Sequence, residues 1–146
     1  MIADSFSYYI SVYKKLFFNY CVEQTAEYQL THGQLFIITY IGKKFECSPK
    51  EIAEVFKFDA GQLNRTLSRL IDRDFISERK NEHDRRSKVL SLTEKGHMVY
   101  QKCYDLFYSF DDKVLACLSA AERKTIIALM NKIYNQLLVD GAIIDE

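Results

Sequence analysis

The sequence holds 146 residues, enough for one domain with a substantial core. Hydrophobic residues make up 48% and charged residues 27%, the balance of a folded chain rather than a disordered one. Twenty basic and twenty acidic side chains cancel, which excludes a histone-like protein that holds nucleic acid by bulk charge but leaves room for a local basic surface.

One proline and five glycines leave few helix breakers, so long helices are expected. Residues 5–28 are dense in aromatics, and Tyr9, Val12, Tyr13, Leu16, Phe17 and Tyr20 recur at the three-four spacing of a helix. So wide an apolar face either packs on its own domain or waits for a partner surface. Thr31 with Gln34 forms a capping box for a second helix, which runs through LFIITYIG, stops near Gly42 and belongs in the core. Ser48-Pro49-Lys50-Glu51 opens a short third helix: Ser48 caps, Pro49 takes the first helical position and Glu51 reaches back. Ile52, Val55 and Phe56 are expected to face inward. After Lys57-Phe58, Asp59 opens a fourth helix over 60–73. Two short helices joined by a tight turn are a helix-turn-helix pattern.

The fourth helix buries Leu63, Leu67, Leu70 and Ile71. Its opposite face holds Gly61, Gln62, Arg65, Ser68, Arg69 and Asp72, with Asn64 at the flank. Amides, a hydroxyl and arginines are groups that hydrogen-bond base edges and phosphates; the blander alternative is a plain solvated surface. Residues 75–80 and 88–93 alternate like strands, and the polar loop 81–87 makes them a hairpin with an extended tip. Thr93 caps a fifth helix to about Leu115. Ser119 and Glu122 begin a sixth that ends near Val139, with the stripe Ile126, Leu129, Met130, Ile133 and Leu137; the tail 140–146 is expected to fray. A helix-turn-helix followed directly by a two-stranded hairpin is a winged helix-turn-helix.

No run of about 18 uncharged apolar residues is present, so no membrane span is expected. The opening MIADSFSYY lacks a basic region followed by an apolar stretch, so no secretory signal is expected and the chain reads as cytoplasmic. Cys21, Cys47, Cys103 and Cys117 include no C-x-x-C pair and read as free thiols in a reducing compartment. Cys103 and Cys117 fall on helical stripes and are expected to be buried, whereas Cys47, just before the cap, is expected to be exposed. His32, His83 and His97 are scattered over different elements, so neither a metal site nor a cofactor is expected. No nucleophile–base pair, paired carboxylates or phosphate-cradling glycine loop suggests an enzyme.

Leu70, Phe75-Ile76, Arg79, Asp84-Arg85-Arg86, Leu92-Thr93 and Gly96 together resemble the MarR family of transcriptional regulators. The wing pattern D-x-R followed by L-T-x-x-G carries most of the likeness, and Leu30-Thr31…Gln34 resembles that family's second-helix opening. The resemblance implies a mainly α fold with a small β-hairpin, divided into an N-terminal dimerisation helix (1–30), a winged helix-turn-helix DNA-binding domain (31–96) and C-terminal dimerisation helices (97–146). It implies a homodimer that straddles a pseudo-palindromic operator on double-stranded DNA as a repressor. In many members a small lipophilic or phenolic effector releases the DNA; in others a cysteine senses oxidants. Cys21 is the best placed thiol here, although the family's sensing cysteine lies much nearer the start of the first helix. Two departures stand out. Asp74 replaces the usual Gly before the first wing strand, and Asp tolerates a left-handed backbone better than most residues. Gln62 and Asn64 stand where Ser or Thr is common, which changes the expected base preference.

On that reading Gly61, Gln62, Asn64, Arg65, Ser68 and Arg69 meet the major groove. Gln62 or Asn64 is suited to adenine and Arg65 to guanine, while Gly61 lets the backbone approach a phosphate. Ser48 and Lys50 take phosphates. Arg86 enters the minor groove, flanked by Arg79, His83, Arg85 and Lys88. Asp84 is implied to hold Arg86 in its bent loop; a surface ion pair is the alternative. Tyr9, Tyr13, Phe17, Tyr40, Tyr104 and Tyr108 are candidates for lining an effector pocket, with ordinary packing as the alternative. A competing function is a winged-helix protein-interaction module, such as an antirepressor, without DNA binding; acids on the fourth helix and wing would favour it, and Arg65, Arg69, Arg79, Arg85 and Arg86 favour DNA.

Overall fold

Helix starts in this chain are written in local side chains. In the computed structural model, which describes residues 5–141, Thr31 and Gln34 exchange hydrogen bonds with each other's backbone N–H at 3.3 and 3.0 Å. Ser48 with Glu51 and Ser119 with Glu122 do the same. Each box satisfies N–H groups that the first turn leaves without partners. The Glu122 carboxyl is held below its ordinary range by the Ser119 backbone N–H and hydroxyl.

The elements are α1 (Phe6–Gln24), a 3-10 turn (Ala26–Tyr28), α2 (His32–Lys44), β1 (Glu46–Cys47), α3 (Pro49–Phe56), α4 (Ala60–Asp72), β2 (Ile76–Lys80), β3 (Lys88–Leu92), α5 (Glu94–Val114) and α6 (Ala120–Val139). The strands form one antiparallel sheet in the order β1-β3-β2. This is the mainly α fold with a winged helix-turn-helix that the sequence predicts. The chain divides into two compact units, one ending at Phe107 and the other starting at Tyr108, so the division falls inside α5.

The core of the first unit gathers on α2. Ile37, Ile38 and Ile41 are fully buried and meet Ile52 of α3, Leu63, Leu67 and Leu70 of α4, Phe75, Leu90 of β3 and Val99 of α5. In the second unit the α6 stripe of Ile126, Leu129, Met130, Ile133 and Leu137 lies at the surface of the single chain.

The wing is fixed to the body at one crowded corner. Asp74 adopts φ 60°, the left-handed turn that its short polar side chain tolerates. The Thr93 hydroxyl donates toward the carbonyl oxygens of Asp74 and Phe75 at 2.6 and 3.1 Å, and it accepts the Gly96 N–H at 3.0 Å. A Cβ on Gly96 would overlap the Phe75 carbonyl oxygen. The L-T-x-x-G signature is therefore a cap plus a site of close backbone approach.

Several expectations need correction. The first helix ends at Gln24, where Thr25 turns inward and donates its hydroxyl to the Cys21 carbonyl at 2.7 Å; a separate 3-10 turn follows. Helix α2 continues two residues past Gly42, because Gly42 is there for packing: a Cβ would run into the Tyr100 ring. Val55 is exposed, since Ile52, Ala53 and Phe56 occupy the inner face of so short a helix. Strand β1 was not expected. The tail 142–146 lies outside the described residues.

The thiols also differ from expectation. Cys47 is buried because β1 pairs with β3 and turns it inward, and Cys117 is exposed because it sits in the turn between α5 and α6. Burial pushes the thiols of Cys21 and Cys47 up to about 12 and that of Cys103 up to about 11. A thiolate is the reactive form, so three of the four are unreactive at neutral pH.

Gly96→Ala should cost about 1–3 kcal/mol in denaturant unfolding, whereas Asp74→Gly should leave stability equal or higher, as its strained φ is relieved. A thiol reagent at pH 7 should label one cysteine per folded chain, and Cys117→Ser should abolish that labelling. The unfolded chain sheds thiol protons from about pH 9 while the folded chain keeps them to about 11–12. Stability measured by urea midpoint should therefore fall as pH rises through that window.

Candidate nucleic-acid interface

Helix α4 divides cleanly into two faces. Leu63, Leu67 and Leu70 are buried, Ile71 is partly so, and Gly61, Gln62, Asn64, Arg65, Ser68, Arg69 and Asp72 are exposed. Asp59 caps the helix by accepting the Gln62 N–H at 2.8 Å. Gly61 is not demanded by its neighbours: an added Cβ would meet only the side-chain ends of Asp59 and Arg65, at 3.4 and 3.5 Å. A glycine that costs helix stability without a steric reason within the fold leaves space for something outside it.

Beside this helix runs an open groove. Its walls are the start of α3 (Ser48, Pro49, Lys50, Glu51), the outer side of α4 (Asn64, Leu67, Ser68, Ile71) and the wing (Glu78, Asn81, Arg86, Ser87, Lys88). The fold thus brings Ser48, Lys50, Asn64, Ser68, Arg86 and Lys88, distant in sequence, around one concavity. Gln62, Arg65 and Arg69 lie on the same exposed helix outside it.

The wing tip is rigidified by its own side chains. Asn81 accepts the His83 N–H and Asp84 accepts the Arg86 N–H, both at 3.0 Å. The Asn81 N–H donates to the Ser87 carbonyl, and the Ser87 N–H and hydroxyl donate to the Asp84 carbonyl, at 3.0, 3.0 and 3.1 Å. Asp84 therefore holds the loop through the Arg86 backbone. Among the described residues no carboxylate lies within ion-pair distance of the Arg85 or Arg86 guanidinium. Asn81 and Ser87 were missed as site residues, although an Asn opening a polar loop is a known turn signal.

Two cations of the wing body are engaged. Lys88 pairs with Glu78 at 2.7 Å and Arg79 with Glu46 at 3.0 Å, while Lys50 stands 3.9 Å from Glu54. Arg79 does not line the groove. Strand alternation puts it on the far face of the sheet with Ser77, Val89 and Ser91.

A second concavity of about 120 Å³ lies in the first unit between α1, α2 and α5, walled by Phe17, Phe18, Phe36, Phe107, Leu35, Cys21 and Cys103, with His32 and Thr39. The Thr39 hydroxyl is committed to the Leu35 and Phe36 carbonyls, at 2.9 and 3.0 Å. Of the six aromatic candidates only Phe17 reaches this space. Tyr9, Tyr13, Tyr104 and Tyr108 are exposed, and Tyr40 packs edge-on against Phe56, with ring centroids 5.6 Å apart. Aromatic density marked the right helices but not which way each ring faces.

Among the described residues no three His, Cys, Asp or Glu side chains are grouped to hold a metal, and no helix is long and apolar enough to cross a membrane.

Comparison with known proteins agrees with this architecture. Residues 20–103 match the family model described as transcriptional regulator SarA/Rot. The HTH-type transcriptional regulator BilQ of Clostridium symbiosum is 34% identical over 130 residues, covering 89% of this chain and 90% of that protein. The wild-type apo form of MarR from E. coli superposes with a TM-score of 0.78 at 22% identity, covering 88% of this chain and 96% of that one. A MarR mutant from E. coli complexed with operator DNA superposes with a TM-score of 0.66 at 23% identity, covering 87% and 91%. These families and relatives are transcriptional regulators rather than enzymes. The chain belongs to the SarA/Rot family of transcriptional regulators, a MarR-like winged helix-turn-helix family.

Proposed function

We propose that this regulator binds double-stranded DNA sequence-specifically as a homodimer, with α4 in the major groove and the wing tip in the adjacent minor groove. The observation that carries this reading is the groove that gathers Ser48, Lys50, Asn64, Ser68 and Arg86 beside the amide- and arginine-bearing face of α4. The E. coli MarR mutant named above is complexed with operator DNA, which supports the same use of the fold here. Gln62 and Asn64 suit adenine, Arg65 and Arg69 suit guanine or phosphate, and Ser48 and Lys50 suit phosphates. Arg86, presented on a locked tip without a carboxylate partner, suits a narrow minor groove; Arg85 and His83 flank it. A protein-interaction module is less favoured, since the exposed face of α4 is basic and amide-rich rather than acidic.

One reading helix and one wing provide too few contacts for specific binding at physiological salt. A second copy doubles them at about 34–36 Å, one turn of DNA. Segments 1–30 and 97–146 are the proposed dimerisation elements. Their support is the apolar surface that one chain leaves exposed: Phe6, Tyr9, Tyr13 and Leu16 on α1, and Leu129, Ile133 and Tyr134 on α6. The regulator acts, in this reading, as a ligand-responsive repressor. The cavity between α1, α2 and α5 is the candidate effector site, and its dry aromatic wall suits a small uncharged lipophile.

Two measurements check the DNA mode, each on a duplex selected from a randomised pool by the wild-type protein. Arg86→Ala should weaken binding and reduce the slope of log affinity against log salt by about one; unchanged affinity and slope would remove the wing tip from the interface. Gly61→Ala should raise or preserve the melting temperature, since alanine favours a helix by about 1 kcal/mol, yet weaken DNA binding. Undiminished binding would show that nothing approaches the helix backbone there.

A further inference from the structure

We infer that Glu46 and Arg79 form a brace that sets the angle of the wing, and that Arg79 acts as a positioning residue and not as a DNA contact. This rests on the DNA-binding reading above. The Arg79 Nη2 lies 3.0 Å from both carboxylate oxygens of Glu46. Glu46 is on β1 and Arg79 on β2, the two outer strands of the sheet, with β3 between them. Glu46 pairs in register with Ser91 and Arg79 with Val89, so the ion pair crosses the middle strand diagonally.

The face of the sheet decides the role. Alternation from the buried Cys47, Ile76, Leu90 and Leu92 puts Glu46 and Arg79 together on the opposite, exposed face. Glu78, Arg86 and Lys88 line the groove beside α4, and Arg79 does not. A guanidinium held by a carboxylate on the far side of the wing is neither free nor aimed at the duplex.

The brace adds to the tie at the Asp74–Thr93 corner. The base of the β2–β3 hairpin is buried through Ile76, Leu90 and Leu92, and β1 contributes two residues beside it. Strand β1 follows directly from α2, which is anchored in the core by Ile37, Ile38 and Ile41. The connecting corner is Phe45, a bulky residue at φ 67° that is 77% exposed. A strained backbone that buries nothing is explained by where it sends the next residue: it turns the chain so that Glu46 enters the sheet edge facing Arg79. Both partners are about half exposed, so the pair adds little to global stability. Its effect falls instead on the orientation of the segment it holds, the hairpin that carries Arg85 and Arg86.

The test measures DNA affinity, salt slope and wing amide hydrogen exchange for the full-length protein and for Glu46→Gln, Arg79→Gln, the double Gln variant and the swap Glu46→Arg/Arg79→Glu. The DNA is a duplex selected from a randomised pool by the wild type. Each single Gln variant should lose about 3- to 5-fold in affinity, the size of an exposed pair's coupling, with the salt slope unchanged. The double variant should lose no more than either single one, and the swap should recover most of the loss. Exchange at residues 81–87 in the free protein should quicken in the singles and recover in the swap. A stronger-binding Glu46→Gln, or a slope reduced by about 0.9 in Arg79→Gln, would identify Arg79 as a phosphate contact and overturn the brace. Unchanged affinity and exchange in both singles would overturn it as well. If the wild type selects no duplex, the DNA-binding reading fails, while the exchange data still decide whether the pair holds the wing.

Discussion

The carbonyl oxygens of Asp74 and Phe75 are the point on which the interface turns. Helix α4 ends two residues before Asp74, the first wing strand begins one residue after Phe75, and α5 starts where the second wing strand ends. Thr93 reaches both carbonyls with one hydroxyl, and Gly96 lets the first turn of α5 come against them. The same corner is tied elsewhere: the Arg73 guanidinium donates to the carbonyls of Tyr28 and Gln29, and the Lys95 ammonium donates to the Arg73 carbonyl at 2.9 Å and stands 4.2 Å from the Phe75 ring centre. Charge-assisted bonds to backbone and cation–π contacts of this kind are stronger than exposed ion pairs. The end of α4, the start of the wing and the first turn of α5 are therefore tied through one backbone junction.

Charge is distributed with similar economy. The chain has no net charge, and its acids are not kept away from its bases. Glu78 pairs with Lys88 and Glu46 with Arg79, while Lys80 at the end of β2 is in no ion pair among the described residues. Among the described residues Arg85 and Arg86 at the tip and Arg65 and Arg69 on α4 are likewise in no ion pair. Unspecific attraction to a polyanion scales with the number of free cations. On the proposed reading, specific binding depends on whether these four arginines fit a particular duplex.

Much of this was legible in the sequence, and the reason is locality. The capping pairs Thr31–Gln34, Ser48–Glu51 and Ser119–Glu122 lie three residues apart, so their geometry is decided before any tertiary contact forms. The hydrophobic stripe of α4 and the alternation of the hairpin are likewise short-range patterns. Several of the misses are long-range. Gly42 looks like a stop until Tyr100 arrives beside it, Cys47 looks exposed until β1 finds β3, and Cys117 shares a helical spacing with Cys103 but falls in a turn. Arg79 reads as one more wing cation because nothing in the sequence links it to Glu46, thirty-three residues earlier. The pocket candidates show the same limit: of the six only Phe17 lines the cavity between α1, α2 and α5, because the aromatic count of α1 and α5 announces apolar surface, but which rings enclose a space depends on how the helices are rotated.

The central claim is that two copies present two α4 helices and two wing tips to one duplex. A hydroxyl-radical footprint of the complex, run with the number of chains per duplex measured by light scattering, tests it directly. Two chains per duplex are expected, with two major-groove sites centred about one helical turn apart and each flanked by a protected minor groove. One chain per duplex, or protection confined to a single groove, would contradict it.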